Sequence, residues 1–186
     1  MNHIYNQSQF GENWFTYPNF YKSCVERFDN NSIFVEVGSW KGKSSAFLAV
    51  EIINSNKDIK LYCVDTWQGS PEHKNNNHII NNTLYDLFLD NIKDLRSIIT
   101  PIRSNSVDAS KIFDDESLDM VFIDACHEYE DVKQDIEMWY PKVKKGGIIA
   151  GHDYHLPWNG VVRAVDEFFI NKKVEKSEAC WIHIKE

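Results

Sequence analysis

Apolar residues in this chain gather into short runs separated by longer stretches of mixed polarity. Five runs, Ile33 to Val37, Leu61 to Val64, Ile98 to Ile102, Leu118 to Ile123 and Ile148 to Ala150, are rich in β-branched residues and have the length of strands. Lys43 to Asn54, Ile79 to Leu95, Ser106 to Phe113 and Tyr129 to Tyr140 lie between them with helical character, and Val161 to Ile170 follows the last. Strand followed by helix, repeated, predicts the α/β class: a mostly parallel central sheet with helices on both faces. Cys180-Trp181-Ile182-His183-Ile184 alternates weakly and predicts a terminal strand within 174–185.

Outside that core the pattern is weaker. Residues 1–30 carry Trp14, Phe15, Tyr17, Phe20 and Tyr21, a segment expected to cap the core or to lie over a pocket. Gln68 to Asn82 is polar, with successive asparagines at 75–77, and predicts a mobile loop. Lys142-Val143-Lys144-Lys145 reads as a solvated helix end. There is no repeat or linker, so residues 1–186 are expected to form one domain with its core over 33–170.

Composition narrows the partners. With 20 Lys+Arg against 28 Asp+Glu the net charge is −8, which gives no general attraction to nucleic-acid phosphates or anionic lipid. No run approaches the roughly 18 apolar residues of a membrane span, and the N-terminus has no signal-type flank, so a cytoplasmic protein is expected. Cys24, Cys63, Cys126 and Cys180 stand far apart without metal-site spacing and read as free thiols.

Chemistry enters where the runs end. The first passes into Glu36-Val37-Gly38-Ser39-Trp40-Lys41-Gly42-Lys43-Ser44-Ser45, a Glu-x-Gly-x-x-x-Gly turn into a helix. A glycine there permits a sharp turn, and a second permits close approach of a ligand to the first helical turn. Valine at position 37 removes the first glycine of a P-loop, and the spacing is not that of dinucleotide binders. The second run ends in Asp65-Thr66-Trp67, and a carboxylate at that strand end is placed to accept both hydroxyls of a ribose. Asp124 ends the fourth run with His127 three residues on, and His152-Asp153 follows the fifth, so all four overhang one crevice edge. A histidine there suits proton removal near neutral pH.

These residues resemble the class I S-adenosylmethionine-dependent methyltransferases, and more narrowly the group of macrocin-type sugar O-methyltransferases and so-called cephalosporin hydroxylases. The resemblance spans about residues 33–170 and also draws on Arg103-Ser104-Asn105-Ser106, Phe122 to Tyr129, and Gly146 to Tyr154. Trp40 stands where the wider superfamily more often has glycine. The resemblance implies a single-domain Rossmann-like methyltransferase fold. It further implies that Glu36, Gly38, Ser39, Trp40 and Gly42, with Ser44 and Ser45 behind them, hold the amino-acid end of S-adenosylmethionine. Asp65, with Thr66 and Trp67, would hold the ribose, Ser104-Asn105-Ser106 the adenine edge, and Asp124 would also border the cofactor.

In the sugar-methylating relatives the residue matching His127 is the base, and acidic residues matching Asp124, His152 and Asp153 bind magnesium. Histidine at 152 leaves the ion open between magnesium, manganese or none, since imidazole suits transition ions better. The expected activity is methylation of an oxygen on a small molecule or glycan, with Asp124 and Asp153 positioning and His127 as base. Further histidines at 73, 78 and 155, with Trp67 and Trp158, are candidates to line the acceptor pocket. Relatives self-associate, which makes a homo-oligomer an expectation. A non-catalytic cofactor-binding module and a nicotinamide-dependent oxidoreductase remain the alternative readings, together with a nitrogen or macromolecular acceptor.

Overall fold

All five apolar runs are strands in the computed structural model, which describes residues 1–186. They are β1 (Ser32–Val37), β2 (Ile59–Asp65), β3 (Ile99–Arg103), β4 (Leu118–Ile123) and β5 (Val143–Gly151). The helices are α1 (Pro18–Arg27), α2 (Lys43–Ser55), α3 (Asn77–Ile80), α4 (Leu84–Asn91), α5 (Ser106–Ser110), α6 (Tyr129–Trp139) and α7 (Asn159–Phe168), and β6 (Glu175–Ser177) and β7 (Cys180–Ile184) end the chain. The sheet order is β3-β2-β1-β4-β5-β7-β6. β1 to β5 pair in parallel, while β7 runs antiparallel to both β5 and β6. Because β1 has β2 on one side and β4 on the other, the winding reverses there. The loops leaving β1 and β4 part, and a crevice opens at the carboxyl ends of the strands.

Successive residues of β1 face opposite layers. Phe34 packs among α1, α2 and α4, whereas Val35 and Val37 pack on the α6 and α7 side. Burial on both faces explains why these strands read as nearly continuous apolar runs. No helix is long and apolar enough to cross a membrane.

Three expectations need correction and one, the terminal strand, is extended. The stretch Ile79 to Leu95 is not one helix: Asn82 takes a left-handed backbone, φ 52°, and separates α3 from α4. The polar segment 68–82 is not featureless, since it holds a 3-10 turn at Pro71–His73 as well as α3. The terminal strand is the second arm of a hairpin turned by Glu178 and Ala179, both at positive φ. Its first arm, β6, is wholly polar and exposed, so periodicity could not reveal it. Lastly, Lys142 does close a helical turn, the 3-10 turn Tyr140–Lys142, and reaches Asp115 at 2.7 Å, but Val143 to Lys145 open β5, where Lys144 reaches Asp119 at 2.8 Å.

The N-terminal segment does both things expected of it. Phe10, Phe15, Tyr17, Phe20 and Tyr21 are buried against the core, while Trp14 stays exposed and residues 12–17 line the crevice.

Candidate active site

The crevice is a cavity of about 930 Å³, a volume suited to a cofactor with a second ligand beside it. Its floor is the turn after β1. Gly38 has φ 90° and donates its N–H to Val64 O at 2.8 Å, while Asp124 N donates to Val37 O at 2.8 Å, so pairing continues past the strand ends. Asp65 organises this turn. Its Oδ2 accepts from the N–H groups of Ser39 at 3.0 Å and Trp40 at 2.9 Å, and its Oδ1 from Trp67 N at 2.7 Å. Burial pushes its pKa up, and the Trp40, Trp67 and Ser39 N–H groups act against that. A carboxylate oxygen keeps a further lone pair after one such bond, and Asp65 lines the cavity. Trp40 sits at φ 47°, a strained conformation for a bulky residue and of the kind found at ligand clamps.

Of the residues expected around the cofactor, Gly38, Ser39, Trp40, Ser44, Asp65, Thr66, Ser104, Asn105, Ser106 and Asp124 line the cavity. Glu36, Gly42, Ser45 and Trp67 do not. Glu36 points the other way, fully buried, where Tyr21 donates to it at 2.8 Å and Ser45 and the Cys63 thiol also reach it. Burial raises its pKa against the bonds of the surrounding hydroxyls. Its work is to tie α1, α2 and β2 to β1, and period-two alternation from Val35 and Val37 would have placed it there. Gly42 is needed for packing: a Cβ would meet the Phe88 ring at 3.0 Å and Ile92 at 3.1 Å, and its φ is +82°. Trp67 is buried against Tyr85 and Phe88, and its indole N–H donates to Trp40 O at 2.9 Å.

The other end of the cavity holds an acid and imidazole cluster. His127 lies with Nε2 2.9 Å from Asp153 Oδ2 and Nδ1 3.1 Å from Glu72 Oε1, its ring centroid 4.1 Å from that of Trp158. His152 Nδ1 is 3.3 Å from Asp153 Oδ2 and 3.8 Å from Asp124 Oδ1. Burial disfavours both imidazolium ions, yet the carboxylates of Asp153 and Asp124 outweigh it and raise both pKa values. Asp153, at φ 58°, is the hub: burial opposes its charge, but hydrogen bonds from His127 and His152 hold its pKa far below the usual range. Asp124 is raised by burial, with His152 acting against that.

Asp124, His152 and Asp153 each present a donor atom within 4.8 Å of the others, a mixed nitrogen and oxygen set that could hold a divalent ion.

The N-terminal segment contributes residues that sequence reasoning missed. Tyr17 O–H donates to Asp124 Oδ2 at 2.8 Å, and Thr16 Oγ1 lies 2.9 Å from His152 Nε2. Lys41 reaches Glu12 at 2.9 Å and fastens the same segment to the β1 turn. No motif announced these contacts, since they join residues far apart in the chain. His73 does reach the cavity, stacked 4.4 Å from Trp40 and 5.6 Å from Trp14, and His155, though exposed, lies with Nε2 3.4 Å from Asp153 Oδ1, whereas His78 pairs with Thr83.

Beyond β3 the side chains are already engaged. Asn105 caps α5 through Asp108 N at 2.8 Å and donates to the Asp108 carboxylate. Ser106 Oγ accepts from the Trp139 indole at 2.8 Å. Cys126 donates to Asp131 at 3.0 Å, and burial with that carboxylate pushes its thiol up to about 11, so it is no thiolate nucleophile. Facing them from α6 is Asp135, 6% exposed, its pKa raised by burial from 3.8 to about 6. A carboxyl whose folded pKa is raised holds its proton longer when folded, so its contribution to stability falls as pH rises from about 4 to 6, by about 3 kcal/mol. Asp135→Asn should abolish that decline. In thermal unfolding from pH 4.5 to 7.5, the variant's melting temperature relative to wild type should climb with pH, and a constant difference would sink the assignment.

A parallel sheet reversing at β1, a tight turn held by a strand-end carboxylate, and a polar cluster across one cavity are the arrangement of the Rossmann-like methyltransferase fold. The Asp65 carboxylate fits S-adenosylmethionine: it lines the cavity, and its Oδ1 keeps a lone pair after accepting from Trp67 N, as a group that reads ribose hydroxyls would. Residues 35–154 match the methyltransferase domain family, and the chain belongs to it. The uncharacterized protein y4gI of Sinorhizobium fredii is 26% identical over 126 residues, 68% of this chain and 13% of that much longer relative. Among solved structures, the O-methyltransferase NovP superposes with a TM-score of 0.67 at 17% identity, covering 90% of this chain and 78% of its own. CalS11, a TDP-rhamnose 3'-O-methyltransferase of calicheamicin biosynthesis, gives 0.63 at 12% identity, over 90% of this chain and 76% of its own. At these identities the likeness is one of fold.

Proposed function

We propose that the protein methylates a hydroxyl oxygen of a small molecule or a sugar. The observation that carries this reading is the juxtaposition, in one cavity, of the Asp65-held turn with the His127, Asp153 and Asp124 cluster. S-adenosylmethionine, when bound, supplies a methyl carbon made electrophilic by its sulfonium sulfur. Ser39 and Trp40 from the turn, with Ser44 from the first turn of α2, take its amino-acid end, and the N–H groups of that first helical turn favour a carboxylate. Asp65 with Thr66 takes the ribose, and the Ser104 to Ser106 turn flanks the adenine. His127 removes the acceptor's proton, and Asp153 and Asp124 fix the imidazole and the acceptor oxygen in line with the methyl group. The names of NovP and CalS11 support oxygen as the acceptor atom, and that of CalS11 a sugar. The acidic net charge of −8 gives no general attraction to nucleic-acid phosphates or anionic lipid, which supports a small-molecule acceptor.

Calorimetric titration with S-adenosylmethionine should give micromolar binding. A labelled-methyl screen of free sugars, nucleotide sugars and phenols should then place label on oxygen. Label on nitrogen would overturn the acceptor assignment, and tight binding with no transfer to any acceptor would favour a binding module.

Asp124, His152 and Asp153 are proposed to hold a divalent ion that would neutralise charge on the acceptor oxygen. With one imidazole in the set, manganese should bind at least about tenfold tighter than magnesium, which prefers oxygen ligands. His152→Asp should narrow that ratio. Equal affinity for both ions in wild type, measured by calorimetry, would count against the site.

A further inference from the structure

The cofactor reading leaves one end of the ligand without a reader. Adenine carries an exocyclic amine, a two-proton donor that selects for a carbonyl or carboxylate acceptor. The turn after β3 offers little to meet it, because Asn105 is spent on Asp108 and the Ser106 oxygen on the Trp139 indole. Across the cavity, α6 turns Asp131, Gln134 and Asp135 towards the same space. Asp131 already takes the Cys126 thiol and is exposed. Asp135 is different: it lines the cavity, is more than nine-tenths buried, and has only the Ser106 hydroxyl acting in favour of its charge. A carboxylate offers about four lone-pair sites, so one hydroxyl leaves it largely unsatisfied. Burying a carboxylate in that condition costs stability, and a chain that keeps one at a cavity wall has a donor to bring to it.

We propose that Asp135 accepts a hydrogen bond from the adenine amine of the cofactor and makes the site selective for adenine over hypoxanthine. The inference rests on the S-adenosylmethionine reading and adds the group that reads the base. At neutral pH the carboxyl is ionised, since its raised pKa of about 6 still lies below 7, and a charged acceptor forms the stronger bond. Hypoxanthine presents a carbonyl oxygen in place of the amine, and two acceptors facing each other repel.

The test is calorimetric titration of the full chain with S-adenosylhomocysteine and with S-inosylhomocysteine, using wild type, Asp135→Asn and Asp135→Ala, with thermal unfolding of each at pH 7. Wild type should prefer the adenine ligand by at least about tenfold, the scale of a hydrogen bond to a charged group. Asp135→Asn should cut that preference at least tenfold by weakening the adenine ligand and strengthening the inosine one, because its amide can donate to the carbonyl. Asp135→Ala should lose the preference without gaining inosine affinity. Both variants should unfold no lower than wild type, since each removes a buried charge. An unchanged preference in folded variants overturns the proposal, as does a melting temperature more than 10 °C lower, roughly 3 kcal/mol, which would mark Asp135 as a structural residue. Wild type binding neither ligand overturns the cofactor reading and this inference with it.

Discussion

Gly38→Ala is expected to lower the melting temperature by at least about 6–12 °C and to weaken S-adenosylmethionine binding by more than about a hundredfold. A Cβ at this position would stand 2.0 Å from the carbonyl oxygen of Asp124 and 2.5 Å from its carbonyl carbon, both backbone atoms that cannot rotate away. The φ of +90° adds a strain that only glycine escapes. Relief requires β1 and β4 to separate where Asp124 N donates to Val37 O, and overpacking of that kind costs about 3 kcal/mol or more. The loss of binding follows from the same movement, since Gly38 leads into the N–H groups held by Asp65 and Asp124 begins the reacting cluster. Differential scanning fluorimetry and calorimetry measure the two effects. A variant melting within 2 °C of wild type would mean that the turn accommodates a side chain and that the close approach of the two strands is not what requires glycine.

That clash shows where the sequence was legible and where it was not. Parallel strands buried on both faces leave a one-dimensional trace, continuous apolar runs, so β1 to β4 could be read with small errors at their ends, and β5 only over its apolar half, its opening being polar. Strand ends in such a sheet converge on one edge, which is why Asp65, Asp124, His127, His152 and Asp153 could be placed together from spacing alone. The side to which a residue points is less visible at a turn. Gly42 was read as making room for a ligand, yet it makes room for Phe88 and Ile92; Trp67 was read as cofactor-facing, yet it fills the core beside α4. What carried no signal at all were contacts between distant segments: Tyr17 on Asp124, Glu72 on His127, and Asp135 across from Ser106. A carboxylate with a structural partner and one awaiting a ligand are the same letter, and only burial with an incomplete set of partners separates them.

His127→Gln is expected to lower kcat by about 10² to 10⁴-fold, the range of a positioned general base, while S-adenosylhomocysteine affinity changes by less than about threefold. The split follows from position. His127 is held by Asp153, Glu72 and Trp158, and the turn proposed to bind the cofactor is held by Asp65 instead. Glutamine keeps a polar side chain of similar reach, so one of Asp153 and Glu72 retains a donor, but it cannot take up a proton. Its effect therefore separates proton removal from packing. Glu72→Gln should be milder, because Glu72 touches only the far nitrogen and acts through the ring's orientation, with a fall in kcat on the order of tenfold and cofactor binding unchanged. Single-turnover methyl transfer with saturating cofactor measures both variants against wild type. If His127→Gln transfers methyl within threefold of wild type, the acceptor proton leaves by another route and Asp153 becomes the candidate base. If it loses cofactor affinity in step with kcat, His127 belongs to the binding surface.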